Sequence, residues 1–137
     1  MMRRFLAPSI ALAACLAASV ALAASDKIIA NFDSISPFGT GVSGQVVLNA
    51  MPSGETQIHA ALRGLVPNTE YVSFIYQSSA SCAAGTPTAQ LVTFTANSAG
   101  NANFTKKVDV NLSQIGSVSL QRTSDNALLA CAAVVQP

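Results

Sequence analysis

The sequence predicts an all-β fold, a Greek-key antiparallel sandwich or flattened barrel of seven or eight strands. Three features predict it. Short runs rich in Val, Ile, Thr, Phe and Tyr recur along the chain past residue 26, and clusters of Gly, Pro, Asn, Asp and Ser separate them. No stretch there keeps a 3.6-residue apolar period over three turns. At 137 residues the length suits one domain.

The first element is not part of that domain. Met1-Met2-Arg3-Arg4 is a positive start, and Phe5 to Ala23 is apolar except for Pro8, Ser9 and Ser19. Ala21-Leu22-Ala23 then supplies the small-x-small exit that a signal peptidase reads. This is a helical signal peptide over residues 1–23, cleaved between Ala23 and Ala24, with residues 24–137 as the mature domain. A run this short and rich in Ala is not a membrane anchor, so no span is expected after its removal. Leu12-Ala13-Ala14-Cys15 offers an alternative, a lipid anchor on Cys15. Against it, the apolar run continues to Ala23 instead of becoming a polar tether.

Lys27–Phe32 reads as the first strand, followed by a Ser/Pro/Gly loop at Ser34–Gly41 and a second strand at Gln45–Ala50. Pro52-Ser53-Gly54 is a turn. Thr56–Leu62 alternates, with Ile58, Ala60 and Leu62 on one face and Gln57, His59, Ala61 and Arg63 on the other. Tyr71–Tyr76 is the most β-prone run and is expected to be central. Leu91–Thr95 and Asn103–Leu112 flank the turn Ser98-Ala99-Gly100-Asn101 and read as a hairpin. Ser117–Gln121 alternates through Val118 and Leu120, and Leu128–Val135 reads as a nearly unbroken interior strand. Between Leu65 and Tyr71, Pro67-Asn68 favours a tight turn, from which the Tyr71 hydroxyl can bond back to backbone as at Greek-key corners.

Composition excludes several function classes. Half the chain is hydrophobic, 9% is charged and the formal charge is +1, which becomes −1 once Arg3 and Arg4 are removed. Nucleic-acid binding needs a Lys/Arg surplus that is missing, and disorder goes with the opposite balance of hydrophobicity and charge. After export Cys82 and Cys131 are the cysteines that remain. An even pair in an oxidising compartment is most simply one disulfide, closing a loop of roughly 50 residues.

The chemistry of catalysis is sparse. His59 is the single histidine, and its parity puts it on the solvent face. The carboxylates Asp26, Asp33, Glu55, Glu70, Asp109 and Asp125 fall in loops or on polar faces, with no shared cleft implied. Gly39-Thr40-Gly41-Val42-Ser43-Gly44 matches G-x-G-x-x-G, but it opens a strand instead of a helix, so no helix N-terminus is there for a pyrophosphate. Gly44 is read as permitting a bulge or a close strand approach. Asn103-Phe104-Thr105 and Asn111-Leu112-Ser113 match the glycosylation sequon by chance.

Two families share parts of this pattern. Leu62–Tyr71 resembles the L-x-GL-x-P-x-T-x-Y corner of fibronectin type III modules, whose core Trp this chain lacks. A longer series resembles copper/zinc superoxide dismutases. It comprises Val42–Leu48, Ile58 to Gly64-Leu65, Cys82, Leu91 with Thr95–Ala102, Ile115–Val118, and Leu129-Ala130-Cys131-Ala132-Ala133-Val134, in the family's order. The resemblance implies an eight-stranded Greek-key barrel with a Cys82–Cys131 bridge.

The departures bear on activity. Where that family carries its copper-binding His-x-His, this chain has Ser73-Phe74-Ile75-Tyr76. Ala83–Gln90 stands in place of the His-rich zinc loop. The late copper ligand falls at Gln121 or Arg122, the substrate-guiding Arg at Leu128, and the charged loop shrinks to Thr123–Ala127. Copper redox chemistry needs several imidazoles and an open position. The expectation is therefore a non-enzymatic, exported dismutase-like domain with no cofactor and no metal, periplasmic or secreted. It would bind a protein or envelope partner or act structurally. Phe74, Tyr76 and the Gln77–Ala84 loop are the candidate partner-facing edge, against the plainer reading of core and rim. The alternative is a dismutase-family enzyme or copper-handling protein using Met51, His59 and the cysteines.

Overall fold

The computed structural model describes residues 26–77, 80–82, 87 and 89–136. The expected signal peptide, with Cys15 and the expected cleavage between Ala23 and Ala24, lies outside them.

Eight strands form: β1 Lys27–Ser34, β2 Ser43–Ala50, β3 Thr56–Arg63, β4 Glu70–Gln77, β5 Ala89–Thr95, β6 Ala102–Val108, β7 Ile115–Arg122 and β8 Leu128–Ala133. They pair antiparallel in the order β5-β4-β7-β8-β1-β2-β3-β6. The sheet curls on itself, so that β4, β5 and β6 follow one another across the seam while β7 returns beside β4. This is a Greek key in a nearly closed barrel. Its halves, β5-β4-β7-β8 and β1-β2-β3-β6, are joined by a short ladder of Phe32–Ser34 on Ala130–Ala132.

The period-two pattern fills the interior. Val46, Leu48, Ile58, Ala60 and Leu62 from one half meet Tyr71, Ile75, Val118, Leu120 and Ala130 from the other, all buried. Small residues line β8 where the β1 and β7 ladders both reach it. On β3 the alternation is as read, with His59, Ala61 and Arg63 exposed.

Two elements differ from expectation. The strand expected over Asn103–Leu112 stops at Val108, because the Asn111 side chain accepts from the Ser113 amide at 3.0 Å and its hydroxyl at 2.8 Å. That cap starts a 3-10 turn at Leu112–Gln114, which still buries Leu112. Nor do β5 and β6 form a hairpin ladder. The turn between them closes, with Asn97 N–H donating to Asn101 O at 2.9 Å, but β6 pairs along β3 and β5 along β4. The seam is filled instead by rings: Tyr71 on Phe94 at 5.9 Å and Phe94 on Phe104 at 5.4 Å.

Glycines and one phenol fix the barrel's end. Gly44 sits in an unbroken register where an added Cβ would lie 2.3 Å from Ala61 O, so it serves close approach and no bulge. The Val66 amide donates to Tyr71 Oη at 2.9 Å, spanning the turn through Asn68 at φ 57°. Tyr71 is 1% exposed. Tyr71→Phe therefore removes the acceptor of a part-buried bond, and the urea midpoint is expected to fall by the equivalent of about 1 kcal/mol with an unchanged m-value.

Candidate functional site

The site is built around the cysteine bridge. On β8, Ala130 and Ala132 face the core, so Cys131 between them faces outward, level with Ser119 on β7 and Asp33 on β1. Cys82 bonds to it with Cα atoms 5.8 Å apart, and the Cys82 amide donates to Cys131 Sγ at 3.2 Å. Residues 80–82 are thus held against the outward face of β7 and β8. Such a bridge is compatible with an oxidising, exported location.

That cover explains why β7 is dry on both sides. Val118 and Leu120 line the core, while Ser117 and Ser119, alternate residues that read as solvent-facing, are 0% exposed. Ser73 Oγ donates to the Ser119 carbonyl at 2.7 Å, and the Phe74 amide donates to Ser119 Oγ at 3.3 Å. Ser117 Oγ has no hydrogen-bond partner among the described residues. Tyr76 is buried too, and Gln121 Nε2 donates to its hydroxyl at 3.2 Å. Of the two readings of Phe74 and Tyr76, core and rim is the one that the burial matches: Tyr76 is withdrawn beneath the surface and Phe74 is half-buried. Of the Gln77–Ala84 loop, residues 78–79 and 83–84 lie outside the described ones.

This outward face of β4 and β7 is where the dismutase resemblance puts copper. It offers a phenol–amide pair and serine hydroxyls, a donor set that does not fit an ion wanting several imidazoles. Among the described residues no three of His, Cys, Asp and Glu approach closely enough to hold a metal. His59 stands on β3, in the other half of the barrel, with Nδ1 2.7 Å from Thr105 Oγ1. Met51 lies in the β2–β3 turn and both thiols are in the bridge. The soft ligands of the alternative reading are therefore not brought together. Residues 83–86 and 88 of the Ala83–Gln90 segment lie outside the described residues.

The shortened charged loop neutralises itself. Arg122 grips Asp125 through two bonds, Nε to Oδ1 at 3.0 Å and Nη2 to Oδ2 at 2.6 Å. The hydrogen bond from Arg122 pulls the Asp125 carboxyl down to about 2 from its ordinary 3.8. A lowered carboxylate favours the fold above its ordinary value and loses that contribution as pH falls through about 2. The pair is exposed, so its stabilising effect is small. Carbon-detected NMR titration is expected to put the Asp125 midpoint near 2, returning toward 3.8 in Arg122→Gln.

The remaining acids are dispersed. Glu55 bonds Ser53 in the β2–β3 turn, Glu70 opens β4 and Asp109 follows β6. The glycine motif at 39–44 forms a turn running into β2, with no helix behind it. No helix among the described residues is long and apolar enough to cross a membrane.

Two of the depressions in the described surface lie on outward strand faces. One, of about 270 Å³, lies beside the bridge between Asp33, Ile35, Leu128 and Cys131. The other, of about 390 Å³, lies on the opposite half over Gln45, Ala61, Arg63, Asn101 and Asn103. Sequence reasoning named neither. The polar parity of β3 pointed toward the second, but the alignment of neighbouring strands was needed to assemble it.

No family model matches the chain. Nor does any curated protein.

Proposed function

We propose that the chain is an exported, non-enzymatic superoxide dismutase-like barrel, serving as a binding or structural module of the bacterial envelope. The eight-stranded Greek key and the Cys82–Cys131 bridge support the dismutase-like reading. The observation that carries the loss of activity is the whereabouts of imidazole. The chain has one His, on β3 and bonded to Thr105 of β6, while Tyr76, Gln121, Ser117 and Ser119 occupy the outward face of β4 and β7. One ring cannot cage a redox ion.

The test is elemental analysis and a dismutase assay on the oxidised mature protein. The expected result is copper and zinc well below one equivalent and no turnover above buffer. Stoichiometric copper with turnover would overturn the reading in favour of an enzyme. Export is read from the mature N-terminus by mass spectrometry. Ala24 in a soluble periplasmic or secreted fraction supports it, and a diacylglyceryl Cys15 would mean envelope anchoring instead.

A further inference from the structure

We infer that the outward face of β2, β3 and β6 binds an acidic polysaccharide, with Arg63 receiving a uronate carboxylate. This goes beyond the proposed function and does not depend on the dismutase resemblance.

The face is assembled by register. Asn31, Gln45, Ala61 and Asn103 stand level across four neighbouring strands. Neighbouring strands lie about 4.8 Å apart, so the amides form a row of paired donors and acceptors. Ala61, the one short side chain in that row, makes the floor of the 390 Å³ depression, and Arg63 rises at its end. The next row is Ile29, Val47, His59 and Thr105, with Ile29 exposed, and the one beyond it Lys27, Asn49, Gln57 and Lys107.

Charge supplies the sign of the ligand. The one ion pair among the described residues uses Arg122, on the other half. Arg63 and Lys107 are exposed and have no anionic partner among the described residues, and they sit six residues apart in register, about 20 Å. That separation suits a chain bearing repeated carboxylates better than a single small acid.

The donor chemistry selects the class. Each amide offers both a donor and an acceptor, the combination that matches vicinal hydroxyls. A phosphate would call for several cations converging on one point, and the depression has one. An extended peptide would seek a free strand edge or alternating apolar pockets. Here the depression lies over β2 and β3, which are paired on both sides, and away from the outer edge of β6; its lining is mostly amide and guanidinium, with Gly44, Ala61 and Leu62 as the apolar part.

The experiment is an NMR titration of the oxidised protein with an oligogalacturonate at low salt, alongside its methyl ester and oligoglutamate. Saturating shifts are expected at Gln45, Ala61, Arg63 and Asn103, with binding weakened at least tenfold in Arg63→Gln and in the methyl ester. Arg63 is exposed, so the variant should melt as the wild type does, which separates lost binding from lost fold. Absence of shifts on this face, or indifference to Arg63→Gln, would overturn the proposal. Equal binding of oligoglutamate would overturn it as well, reassigning the face to acidic peptides.

Discussion

Replacing Cys82 with serine is expected to lower the stability of the oxidised barrel by about 4 kcal/mol, a fall in Tm on the order of 15 °C. The bridge joins residues 49 apart, so its loss restores a large share of the unfolded chain's freedom. Its removal also releases the cover from β7. Ser117, Ser119 and the Tyr76–Gln121 pair then meet water, and local amide exchange near Ser117–Ser119 should accelerate beyond the global change. Thermal melts check both parts. A reductant is expected to bring the wild type down to the level of the variant and to leave the variant unmoved. An unchanged melt in Cys82→Ser would mean that the bridge does not hold this face.

The second large effect is expected from Gly64→Ala. Gly64 has φ +74°, and an added Cβ would lie 1.9 Å from the Gly41 carbonyl oxygen and 2.8 Å from its carbon. The backbone conformation alone costs a non-glycine residue about 1–2 kcal/mol. The contact adds to this, because both atoms belong to backbone and neither can swing aside. A total loss of about 3 kcal/mol or more is expected from urea unfolding. Gly54 is the control: its φ is +89°, but the space around it is open. Gly54→Ala should cost about 1–2 kcal/mol, the conformational part only. Equal losses at the two sites would show that the crowding at Gly41 is not felt.

The strands were legible because each one carries its own alternation. Ile58, Ala60 and Leu62, or Val118 and Leu120, declare a buried face within a single run, and Pro67-Asn68 declares its corner. Information that lies between distant segments was not legible. Ser117 and Ser119 read as solvent residues and are buried, because a segment tied down through Cys82 covers them. The β5–β6 hairpin was misread for a related reason: the turn chemistry at Asn97–Asn101 is real, yet β6 spends its backbone bonds on β3, some forty residues earlier in the chain. The end of β6 was visible in principle. Asn111-Leu112-Ser113 was set aside as a chance sequon, whereas the same side-chain oxygen caps the 3-10 turn. For the candidate sites the limit was register. Gln45, Ala61 and Asn103 are individually unremarkable polar or small positions, and only lateral alignment brings them together.

The ladder between β1 and β8 has a consequence for how the molecule comes into being. The earliest and latest strands are neighbours in the middle of the sheet, so a nascent chain arrested before Leu128 leaves the edges of both β1 and β7 without a mate. Synthesis must therefore pass β8 before the wall is sealed, and closure is expected to be slow, as suits pairings so remote along the polymer. Until that moment two open edges are exposed to strand-to-strand aggregation, a hazard that a chaperone holding the unfinished chain would relieve.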